Sequence, residues 1–140
     1  MWKYAAIYQV SVVLIAAILS LIEYAADISL SSSAFTAVGA VVAAIPAKFF
    51  VNDFKEPPTK SQTNRFALEV IAIEAAIIAF YVALFKDELL SEFSDVLNEL
   101  SVSAIITIIV IALAISYLLL YFTFSLFAKH YAKEQKDKQE

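Results

Sequence analysis

Four apolar blocks alternate with polar connectors along this chain. The first, residues 4–22, runs apolar from Ala5 to Ile22 and is broken only by Tyr8, Gln9, Ser11 and Ser20. A helix over Ala5–Ile22 spans roughly 27 Å, which matches the hydrocarbon core of a bilayer. A cleaved leader is the alternative reading. Small residues follow at Ala25 and Ala26, but Glu23 and Tyr24 stand two positions before them, a poor cleavage site. A retained helix is the expectation. The connector Glu23–Ser33 carries two acids and no Lys or Arg.

The second block, residues 34–51, is rich in small side chains. Two series recur every fourth residue, Thr36–Ala40–Ala44 and Gly39–Ala43–Ala47. Small residues let helix backbones approach closely in lipid, where water cannot drive association. Thr36, Gly39, Ala40 and Ala43 form a candidate helix-packing face for self-association. Leu at Gly39 or Ala43 is then expected to weaken an oligomer. Pro46 is expected to bend or end the helix. Residues 48–65 read as a basic loop with Lys48, Lys55, Lys60 and Arg65, punctuated by Pro57-Pro58. Thr59-Lys60-Ser61-Gln62 fits a capping box that starts the next helix.

The third block spans residues 65–85. Arg65 and Glu69, four apart, are placed to form an interfacial ion pair. Glu74 lies nine residues past Arg65, roughly 13 Å deeper, on a face shared with Val70, Ile71, Ile77 and Ile78. A carboxylate at that depth is costly, so it is expected to face the bundle interior. Residues 86–101 are too polar to span. Leu89, Leu90, Phe93, Val96, Leu97 and Leu100 recur at helical spacing with acids opposite, which predicts a short amphipathic external helix. The fourth block, residues 102–127, is longer than a bilayer requires and aromatic towards its end. A tail over 129–140 is expected to extend it.

The pattern therefore predicts an all-α fold, one membrane domain over residues 1–140, built as a four-helix bundle. Composition agrees. Hydrophobic residues make up 61% of the chain, against about 45–50% for a soluble domain. Charge sets the orientation. Lys3, the 48–65 loop and the tail hold nine of the ten basic residues. The positive-inside rule puts both termini and that loop in the cytoplasm.

Chemistry is restricted by what is missing. There is no Cys, one His (His130) and one Gly (Gly39), so disulfides, thiolate metal sites, multi-histidine sites and glycine-rich phosphate loops are excluded. No aspartate pair or histidine sits within a span to run intramembrane proteolysis. No enzyme activity, cofactor, metal or nucleic-acid partner is expected. Depth arithmetic puts Tyr121 roughly 12 Å from Lys129, and Gln9 about 9 Å from Lys3. Glu74, Tyr121 and Gln9 are thus a candidate intramembrane polar cluster.

The stretch KFFVNDFKEPPTKSQTNRFALEVIAIEAAIIAF resembles the small four-helix bacterial inner-membrane proteins named after an Acinetobacter ABZJ locus tag. Lys48, Phe49, Phe50, Pro58, Thr59, Arg65 and Phe66 carry the resemblance, while Asn52, Asp53 and Glu56 interrupt the basic segment. The resemblance implies architecture and no reaction. The leading expectation is a non-enzymatic inner-membrane protein acting through protein or lipid contacts, with the bilayer, a homo-oligomer or another membrane protein as partner. The alternatives are a proton or cation pathway through Glu74, and an immunity protein whose 86–101 helix meets a membrane-active toxin.

Overall fold

A computed structural model describes residues 1–27, 29, 38–39, 41–85 and 101–138. Four helices account for most of them: α1 (Trp2–Ala26), α2 (Ala44–Phe54), α3 (Lys60–Leu84) and α4 (Val102–Asp137). There is no strand among the described residues. Three helices are long and apolar enough to cross a membrane, at Trp2–Ala26, Lys60–Leu84 and Ser103–Asp137. The expected external helix over 86–101 lies outside the described residues except for Ser101.

Helix ends follow local chemistry. α1 stops at Asp27, which turns into the left-handed region (φ 51°, ψ 42°) and donates its N–H to the Glu23 carbonyl. Asp tolerates that conformation better than most residues. α3 starts on the predicted capping box. The Gln62 N–H donates to Thr59 Oγ1 at 3.3 Å, and the Thr59 N–H donates to Gln62 Oε1 at 2.8 Å. α4 opens with Ser101 Oγ accepting the Ala104 N–H at 3.3 Å. Its 36 residues reach about 54 Å, well beyond a hydrocarbon core of about 30 Å. The tail expected after residue 128 is this same helix, continuing to Asp137.

The second block departs from expectation. One helix over 34–51 is predicted, but the described part turns at Ala43. Helical residues 38–39 and 41–42 precede that turn, and α2 follows it. Pro46 accounts for the break. It has no N–H to give the Val42 carbonyl, and its ring crowds that same group. Placed in the first turn of α2, it is tolerated. The helix then runs past Val51 through Asn52 and Asp53, residues assigned above to a loop. It ends at Lys55, again left-handed (φ 60°), with its N–H on the Val51 carbonyl.

Packing forms a ring. α1 meets α2 and α3, and α4 meets α2 and α3, while among the described residues the diagonal pairs have no close backbone approach. The core is aromatic. Phe66 of α3 stacks on Phe124 of α4 with centroids 4.0 Å apart and planes 18° from parallel. Phe50 of α2 meets Phe124 edge-on at 6.0 Å, and Tyr4 of α1 meets Phe50 at 5.2 Å. Ala43, Ala47, Ala67 and Ala128 are fully buried beside these rings and let the backbones close in.

Candidate functional site

Spacing along α1 and α3 builds a polar site within the membrane-length helices. Phe66, Val70 and Glu74 follow each other at intervals of four, so they share a face of α3. Ala5 and Gln9 share a face of α1 by the same interval. Where the two faces meet, Gln9 Nε2 donates to the Val70 carbonyl at 3.4 Å. Glu74, one turn on from Val70, lies beside the Gln9 side chain. Tyr8, next to Gln9, is buried against Phe66 and close enough to feel the Glu74 charge. Its hydroxyl donates to the Gly39 carbonyl at 3.2 Å.

Two of the three residues expected in the polar cluster, Glu74 and Gln9, are thus neighbours. Tyr121 makes no hydrogen bond to them. It tilts against Tyr117 at 6.0 Å and meets Phe122 edge-on at 5.6 Å, both on its own helix. The α4 hydroxyl that reaches α3 belongs to Tyr117. It donates to Asn64 Oδ1 at 2.6 Å, ten residues or about 15 Å along the helix from Glu74. The phenol beside Glu74 is Tyr8, which the sequence reading counted only as a break in an apolar run. Depth arithmetic assigns a level but not a rotation about the helix axis, and rotation is what separates Tyr8 from Tyr121.

The described part of the candidate helix-packing face, Gly39 and Ala43, packs within the chain. Ala43 and Ala47 are fully buried, and Gly39 lies under the Tyr8 hydroxyl. Thr36 and Ala40 lie outside the described residues.

The interfacial ion pair is present. Arg65 Nε sits 2.7 Å from Glu69 Oε1, and the Met1 ammonium lies 3.8 Å from Glu69 Oε2. Sequence reading missed a second polar knot at the same end. Asp53 Oδ2 accepts from Lys3 Nζ and from the Tyr4 hydroxyl, each at 2.7 Å. The Lys3 hydrogen bond, followed by that of Tyr4, holds the Asp53 carboxyl below the usual carboxylate range. Gln135 Nε2 donates to Asn52 Oδ1 at 2.6 Å, tying the end of α4 to α2. These partners are 50 and 83 residues apart, so no local pattern announces them.

Among the described residues no group of three His, Cys, Asp or Glu side chains can hold a metal ion. The Glu74 site offers one carboxylate, an amide and a phenol, groups that can hold or share a proton. The class defined by these features is a helical bundle with membrane-length spans. Comparison with protein families, curated proteins and solved structures gives no match to this chain.

Proposed function

We propose that this chain is a non-enzymatic, multi-pass protein of a bacterial inner membrane that binds another membrane protein through the open half of its bundle. One observation carries the reading. Buried residues gather at one end of the helices, and apolar side chains stand exposed at the other. Beyond Tyr8 on α1, Val70 on α3 and before Leu120 on α4, no described residue of these three helices is buried. Val13, Leu14, Ile77, Ile78, Ile108 and Ile111 are all exposed there. Association in lipid rests on packing and interhelical hydrogen bonds, so exposed apolar faces leave packing surface for a further helix. Both termini and the 55–59 turn belong to the cytoplasmic side. The charge bias supports this, and so does the contact of Lys3 with Asp53, which brings the start of α1 to the end of α2. The resemblance to the Acinetobacter-named family supports the same architecture.

A chain without cysteine suits a crosslinking test. Single cysteines at Ile78 and Ile111, carrying a photoreactive group, should give discrete protein adducts in native membranes. A cysteine at exposed Lys133 should not. Lipid adducts alone at Ile78 and Ile111 would remove the proposal.

The contact of Gln9 with Glu74 supports a second reading, a proton or cation pathway. Glu74→Gln should then abolish flux in proteoliposomes, and unchanged flux would sink it.

A further inference from the structure

A groove of about 420 Å³ opens between α2 and α4, lined by Ala44, Ile45, Lys48, Phe49, Asn52 and Tyr131. Its lining changes character along its length. Ala44, Ile45 and Phe49 form an apolar part. Lys48, Asn52 and Tyr131 bring an ammonium, an amide and a phenol to the other part. α2 runs from the turn at Ala43 towards the charged end of the bundle, so Ala44 and Ile45 lie deeper than Lys48 and Asn52. We propose that this groove binds the head group of an anionic phospholipid, with the phosphate on the polar part and the first acyl carbons along Ile45 and Phe49. The inference rests on the reading that this end of the bundle lies at the cytoplasmic interface.

Three observations support the polar half as an anion site. Lys48 is exposed and has no ion pair among the described residues. Glu134 on α4, whose charge Lys48 also meets, is paired with Lys138 at 2.6 Å. Asn52 spends its carbonyl oxygen on Gln135, which leaves its amide N–H groups to donate. The Tyr131 hydroxyl has no hydrogen-bond partner among the described residues and can supply a further donor. Ammonium, amide and hydroxyl donors lining one groove suit a phosphate oxygen. Basic pockets between helices on the cytoplasmic side are where acidic head groups bind. A free phosphate ester would use only the donors and would leave the apolar part empty.

The test is native mass spectrometry of the full chain in detergent, titrated with phosphatidylglycerol and, separately, phosphatidylcholine. Phosphatidylglycerol should bind in preference. Lys48→Gln should reduce that binding about fivefold or more, the value of one lysine near an anionic head group. Lys60→Gln, outside the groove, should not. Tyr131→Phe removes a single oxygen and should lower the preference while leaving the fold intact, which covers the case of a Lys48 variant that fails to fold. Full preference retained in both variants would overturn the site. Equal displacement of the lipid by excess glycerol 3-phosphate would assign the groove to a soluble phosphate ester and also overturn it. Neither result touches crosslinking at Ile78 or Ile111, so this site and the proposed function fail separately.

Discussion

The two ends of this bundle are made from similar residues and behave differently. At one end Phe66, Phe50 and Phe124 interlock, and fully buried alanines sit between them. At the other, α3 carries Ile77, Ile78 and Phe80 and α4 carries Ile106 to Ile111, equally apolar and all exposed. Hydropathy does not separate the halves. In lipid, apolar surface gains nothing by leaving a solvent as apolar as itself, so close packing decides which surfaces join. The closed end has small residues beside large rings. The open end carries small residues too, at Ala72, Ala75, Ala76, Ala79 and Ala83 on α3, but none of its rings is buried against them.

The largest effect should come from removing a ring at the closed end. Phe66 is fully buried, and Phe66→Ala should cost about 3–5 kcal/mol by leaving a cavity against Phe124. Phe80 is 66% exposed, and Phe80→Ala should change stability by no more than about 0.5 kcal/mol. Reversible unfolding in mixed micelles measures both. Similar losses would mean that the two halves pack alike and would break the comparison.

A smaller effect tests the small residues themselves. Ala43→Leu should cost about 1–3 kcal/mol, since no space surrounds a fully buried methyl. Gly39→Ala should be close to neutral, because a Cβ there would meet the Tyr8 hydroxyl at 3.7 Å, an ordinary contact. The sequence reading expects Leu at Ala43 to disturb an oligomer. Burial of Ala43 within the chain adds a folding defect to that expectation. A melting temperature unchanged by Ala43→Leu would leave the oligomer effect alone.

The same pair shows what a sequence of this kind reveals. The 3.6-residue pattern and the length of apolar runs locate α1, α3 and α4, and the Thr59 capping box marks a helix start to the residue. Arg65 and Glu69 are legible because an ion pair four residues apart is a local event. The break at Ala43 was less so. Pro46 promised a disturbance near the end of one helix, whereas it stands in the first turn of a new one. Glu74 and Gln9 could be matched by depth. Tyr8 could not be told from Tyr121, because which side of α1 meets α3 depends on all the packing at the closed end.

Long-range polar contacts supply the smallest effect, and they too belong to the closed end. Lys3 and Tyr4 both donate to Asp53 and hold its carboxyl below its ordinary range. A carboxyl lowered on folding stabilises the folded state above its unfolded pKa of about 3.9, and that contribution fades as pH falls through the lowered value. Wild type should therefore melt slightly above Asp53→Asn at pH 7 and at pH 5, and the gap should narrow towards pH 3. The gap stays small because both side chains are well exposed and their attraction is screened by water and salt. Added salt should shrink it further at neutral pH while leaving the Phe66→Ala loss in place, since dispersion contacts carry no charge to screen. A gap that widened on acidification would mean that Asp53 is strained in the fold, and that the closed end owes nothing to this knot.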